Sequence, residues 1–104
     1  MYTRITIYQY SLRALSATTK MWLQLFDENN DSVSHVLFLD QANIPTPRLN
    51  PTDNKVWIYF HKNDFPTVID LLRNEDPVYL YFATDGYATM QTAAEPVGEE
   101  EAEV

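Results

Sequence analysis

His35 and His61, together with the acidic run Asp27, Asn29 and Asp31, are the residues of this chain best suited to chemistry. Two imidazoles that met a carboxylate could form a facial metal site or a general base. The two histidines lie far apart in sequence, each on a stretch of strand type, and nothing in their spacing brings them together. His61 stands just ahead of a helix start, where the helix dipole opposes protonation. That favours a neutral ring and gives no reason for a catalytic one. Asp27, Asn29 and Asp31 match the first, third and fifth positions of a calcium loop. The match ends there: Ser32 replaces the required glycine at the sixth position, and Phe38 the bidentate glutamate at the twelfth. An acidic hairpin turn is the expected reading. The carboxylate pairs Asp27-Glu28 and Glu75-Asp76 also fall in turn segments, where water keeps carboxylates ordinary.

The two glycines of the chain, Gly86 and Gly98, exclude a phosphate cradle, a dinucleotide fingerprint and a G-x-S-x-G elbow. There is no cysteine to serve as nucleophile, ligand or staple. The sequence therefore predicts a protein without catalytic residues, metal or cofactor. Base-stacking aromatics are present at Tyr8, Tyr10, Trp57, Tyr59, Tyr79 and Tyr81. The seven cations, however, are scattered singly through an acidic chain, so no nucleic-acid partner is expected.

The net charge of −8 divides unevenly. Residues 93–104 carry five glutamates and no basic residue; the remainder balances at −3. Without periodicity, and with Pro96 and Gly98, 93–104 reads as a disordered acidic tail on a single domain of residues 1–92. No apolar run approaches the roughly 20 residues that span a bilayer, and the N-terminus has no signal-peptide pattern. The expectation is a soluble cytoplasmic protein with no membrane partner.

These residues are positioned by five or six short strand-like runs and one helix. Residues 3–15 read as a long first strand whose apolar phase switches near Ile7–Tyr8, which marks a bulge or bend. Met21, Leu23 and Leu25 share one face of a second strand, with Trp22, Gln24 and Phe26 on the other. A turn at 27–32 leads to a third strand over 33–40, with Val33, Leu37 and Leu39 in phase. Pro45, Pro47 and Pro51 punctuate a long loop, which is either functional or a crossover between sheet edges. Lys55 to His61 form the fourth strand. A helix follows, capped by Asn63 or Asp64, with Pro66 in its first turn and Phe65, Val68, Ile69 and Leu72 on one stripe. Asn74 suits a left-handed C-terminal cap. Val78–Ala83 and Tyr87–Thr92 form a hairpin about Asp85-Gly86. The fold class is α+β: a mainly antiparallel, curved sheet of about six strands, in the chain order βββ-β-α-ββ, with one helix on one face.

The two clearest strands are two-sided. Val56, Ile58 and Phe60 oppose Trp57, Tyr59 and His61; Val78, Leu80 and Phe82 oppose Tyr79 and Tyr81. One helix covers one sheet face, so Trp57, Tyr59, Tyr79 and Tyr81 are expected to form an aromatic surface opposite it. Tyrosine and tryptophan bury area yet keep a polar tip, which suits an interface. The expected function is a non-enzymatic protein-interaction module that binds itself, as a homodimer, or another protein through this face. The second reading is a small apolar ligand held between the curved sheet and the helix or the proline loop.

Overall fold

A computed structural model describes residues 2–94 and Val97; the disorder expected for 93–104 lies, apart from Ala93, Ala94 and Val97, outside the described residues. The fold is α+β, mostly antiparallel, with a single helix, and its strands divide into two sheets. β1 (Tyr2–Ile5), β7 (Val78–Phe82) and β8 (Ala88–Thr92) form a three-stranded sheet in the order β1-β7-β8. β2 (Ile7–Leu12), β3 (Thr19–Phe26), β4 (Ser32–Leu39), β5 (Arg48–Asn50) and β6 (Lys55–His61) form a five-stranded sheet in the order β2-β3-β4-β6-β5.

The division begins at Thr6. The first strand read from sequence is two strands, β1 and β2, that enter different sheets. The phase switch is the cause. Ile5 points into the core, Ile7 is 47% exposed, and Tyr8 packs on the core from the opposite parity. A continuous strand cannot send Ile5 and Tyr8 to one side, so the chain bends between them. Thr6 completes the bend: its N–H donates to the Phe26 carbonyl at 2.9 Å and its hydroxyl to the Asp27 carbonyl at 2.8 Å.

Three prolines do not keep the long loop free of ladder. Arg48–Asn50 fits between Pro47 and Pro51 as the edge strand β5, antiparallel to β6, with Leu49 opposite Val56. Proline is tolerated at the ends of an edge strand, where the missing N–H faces away from the ladder. The loop is a crossover: the chain leaves β4, passes β6, and returns through β5 into β6, which therefore runs parallel to β4.

β4 is central and buried on both faces, so it reads as the near-continuous apolar run VLFL. Val36 and Phe38 enter the main core and Val33 packs against it, whereas Leu37 and Leu39 lie outside that cluster. That core gathers Leu23 and Leu25 from β3, Val56 and Ile58 from β6, Ile5, Leu80 and Phe82 from the other sheet, and Val68 and Ile69 from the helix. The two sheets thus share one interior.

The helix α1 (Phe65–Asn74) is preceded by a 3-10 turn over Lys62–Asp64. Phe65 stands edge-on to Phe38, with ring centroids 5.1 Å apart, and Leu72 packs on the core, as the apolar stripe requires. The caps differ from the sequence reading. Asp64 makes no side-chain cap bond; His61 Nδ1 accepts the Asn63 N–H at 3.1 Å and caps the whole helical segment. Asn74 remains helical, and Glu75 leaves in an extended conformation with its N–H on the Leu71 carbonyl. Among the described non-glycine residues, positive φ occurs instead at Asn30 and Asn54, in the turns after β3 and β5.

Candidate interaction face

The four aromatic residues singled out by sequence do not make one surface. Trp57 and Tyr59 lie on the outer face of the five-stranded sheet. Tyr79 and Tyr81 lie on the outer face of the three-stranded sheet. Each pair points away from the core, as the alternation of buried Val56 and Ile58, and of Val78, Leu80 and Phe82, demands. The mistake is one of sheet membership, since α1 lies between β6 and β7 in sequence and hairpin logic does not apply there.

On the three-stranded sheet Tyr2 joins the pair. Its ring centroid lies 5.1 Å from that of Tyr79 and 6.1 Å from that of Tyr81, and Tyr87 lies 6.1 Å beyond Tyr81. Gln91 Nε2 donates to the Tyr2 hydroxyl at 2.9 Å.

The five-stranded face is larger and built in two rows. Strand register aligns Ser11, Trp22, Leu37 and Tyr59 across β2, β3, β4 and β6. It aligns Gln9, Gln24, His35, Trp57 and Arg48 in the next row, across all five strands. Leu37 and His35, at the sheet centre, are 8% and 9% exposed, sheltered by half-buried Trp22, Trp57 and Tyr59. The helix and the second sheet both pack on the opposite face, and no helix or sheet of the described residues covers this one.

Hydrogen bonds tie the rows together. Trp22 Nε1–H donates diagonally to His35 Nδ1 at 3.0 Å. Trp57 Nε1–H donates to Asp53 Oδ2 at 3.0 Å, while Asp53 Oδ1 accepts the Lys55 N–H at 3.1 Å. His35 Nε2 lies 3.9 Å from Asp53 Oδ2. The His35 ring leans on Trp57, with centroids 4.6 Å apart, and stands edge-on to Trp22 at 5.6 Å. Arg13 places its guanidinium 4.4 Å above the Trp22 ring, in cation–π range.

Burial pushes the His35 imidazole below its ordinary range, and the Lys55 charge adds to this; Asp53 opposes them without prevailing. For Asp53, partial loss of water acts to raise the carboxyl. The indole bond from Trp57, the backbone bond from Lys55 and the charges of His35 and Lys55 outweigh it, so the group lies below the usual carboxylate range. Arg13, Arg48 and Lys55 all border this face, with Asp53 their one acidic neighbour in the cluster. An acidic chain therefore presents a locally basic aromatic surface.

Sequence reasoning left Trp22, His35 and Asp53 out of the surface. Trp22 was legible as the outward residue of β3, but its meeting with His35 depends on strand register. Asp53 reads as a turn former, and only the β5–β6 hairpin brings it to Trp57.

The remaining candidates occupy other places. His35 and His61 both face outward, but His61 lies level with Leu39, four residues along β4 from His35, or roughly 13 Å. Asp27 Oδ1 accepts the N–H groups of Asn29 and Asp31 at 2.9 and 3.0 Å, so it is committed to the turn. Among the described residues no group of three histidine or acidic side chains converges on a metal-sized space. No helix of the described residues is long and apolar enough to cross a membrane. A cleft of about 370 Å³ opens where the Thr6 bend meets the end of α1. Ile5 and Leu72 share its walls with the charged Arg4, Arg73, Glu75 and Asp76. Arg4 is already paired there with Asp76 at 3.3 Å.

No protein-family model, curated protein or solved structure matches this chain.

Proposed function

We propose that the protein is a non-enzymatic interaction module that self-associates through the outer face of its five-stranded sheet, with Trp57 and Tyr59 near the centre of the contact. The observation that carries this reading is the uncovered pair of aromatic rows, Trp22–Leu37–Tyr59 and His35–Trp57–Arg48, on a sheet whose other face is filled. Half-exposed tryptophan and tyrosine over a buried leucine is the composition of an interface centre, and charged side chains stand at its margin as in an interface rim.

A second copy of this chain is the occupant we propose, and the aromatic rows must drive it. Two bodies of net charge −8 repel, and a two-fold contact sets like margins of Arg13, Arg48 and Lys55 toward each other, so the association should tighten as salt rises. Four strands at ~4.8 Å spacing and six residues of length, with the three residues of β5 at the edge, give a face of roughly 430 Å². With side-chain relief that is near the ~600 Å² per partner of the smallest specific interfaces. A two-fold axis through the face would set Trp57 of one copy against the aromatic rows of the other. A small apolar ligand is less well served, because four charged residues line the cleft at the Thr6 bend.

The test is oligomer mass by light scattering, with circular dichroism alongside. Wild type should be dimeric, Trp57→Lys should be a folded monomer, and Tyr81→Lys, on the other sheet, should remain dimeric. A wild type that stays monomeric at high concentration would end the proposal.

A further inference from the structure

Trp22 and Trp57 are the two tryptophans of the chain, and both close on His35. The sense of the Trp22 bond fixes the state of the imidazole. An indole N–H only donates, so His35 Nδ1, 3.0 Å away, accepts and carries no proton. The neutral ring then holds its proton on Nε2, the nitrogen turned toward Asp53 Oδ2 at 3.9 Å. A second proton has one place to go, which is Nδ1. There it would meet the indole N–H directly, two donors with no acceptor between them.

We infer that His35 is a proton-operated latch on the aromatic face: the neutral ring pins the Trp22 indole, and protonation of Nδ1 releases it. The groups around the ring decide when it opens. Asp53, from the turn before β6, favours the imidazolium. Lys55 on β6 opposes it. Arg13, which follows β2 and covers Trp22, and Arg48 on β5, level with Trp57, add two more cations at this end of the sheet. Gln24 on β3 and Leu37 on β4 contribute no charge. Burial of a ring that is 9% exposed, with the Lys55 charge added, outweighs Asp53, keeps the latch shut at neutral pH and opens it on acidification.

The latch goes beyond the self-association reading, because it lies within one chain and works in a monomer. Its release would nevertheless reshape the face proposed for the second copy.

Because both tryptophans report on the same ring, intrinsic emission is a direct probe. The full chain is titrated from about pH 8 to about pH 5, with circular dichroism measured at each point. Wild type should show a reversible one-proton change in emission with a midpoint below about 6.5, the ordinary value for histidine, while the fold is kept. His35→Asn retains an acceptor near the position of Nδ1 and does not titrate, so its emission should be flat. A flat wild type, or an unchanged transition in His35→Asn, overturns the latch. Long-range ¹H–¹⁵N spectra of wild-type imidazoles give a reading that needs no variant: the neutral His35 ring should carry its proton on Nε2, and a proton on Nδ1 overturns the latch. Oligomer mass at both ends of the titration keeps the two readings apart. A monomer whose emission titrates sustains the latch and removes self-association.

Discussion

Gly86 lies against Thr46: a β-carbon built on Gly86 would stand 2.5 Å from Thr46 Cγ2. The tip of the β7–β8 hairpin therefore rests on the crossover loop, joining a turn of one sheet to the connection that feeds the other. Gly86 also has φ +96°, a conformation that side chains resist. Gly86→Ala should destabilise the protein by about 1–3 kcal/mol from backbone strain, with the Thr46 contact adding to it. In urea unfolding, adding Thr46→Ser, which removes Cγ2, should restore the contact part of the loss and leave the backbone part. Full restoration would show that φ is not the constraint.

The helix phase gives a second test. Ile69 is 7% exposed and packs in the shared core, while its neighbour Asp70 faces water and accepts a bond from Asn74. Ile69→Ala should cost about 2–5 kcal/mol. Asp70→Ala should change stability by less than about 0.5 kcal/mol. Equal losses in chemical denaturation would contradict the orientation of α1.

Stability should depend on pH through His35. Its folded value is depressed below the unfolded one, so between the two the unfolded chain binds more protons. The His35 contribution is complete above the unfolded value near 6.5 and is lost as pH falls from there through the folded value. Asp53, also depressed, acts in the same direction but only below the unfolded carboxylate value near 3.8. Denaturation midpoints should therefore decline as pH falls below about 6.5, and His35→Asn should flatten that decline. A stability that rises on acidification through this window would reverse the assignment.

Chelation should leave unfolding unchanged. Asp27 is spent on its own turn, and His35 and His61 are separated along the sheet. A thermal midpoint lowered by EDTA and restored by one particular ion would require a metal site that the described residues do not form.

Much of the local structure was legible because period-two alternation writes it directly. Val56-Ile58-Phe60 and Val78-Leu80-Phe82 declare their inward faces, and Phe65-Val68-Ile69-Leu72 declares the helix stripe. What alternation does not encode is which strands become neighbours. β6 and β7 look alike in sequence but belong to different sheets, so Trp57 and Tyr81 were expected on one surface. β5 was hidden because three residues between prolines are too few to show a period. The reach of Trp22 to His35 is a diagonal contact set by the β3–β4 register. The helix cap went to His61 instead of Asp64 because the 3-10 turn moves the start of the helical segment back by three residues.

The Thr6 bend also separates the opening residues in time. β2 meets β3 through a short hairpin, whereas β1 lies at the edge of its sheet and has only β7 as a partner. Arg4 reaches Asp76 across 72 positions, and closing a loop of that length carries a length-dependent entropy of about 4 kcal/mol. With so long a loop to close, β1 should be among the last strands to be paired. Until β7 is formed, Ile5 has no place in the interior, and the assembly of the three-stranded sheet, with its long-range contacts, should set the pace of folding.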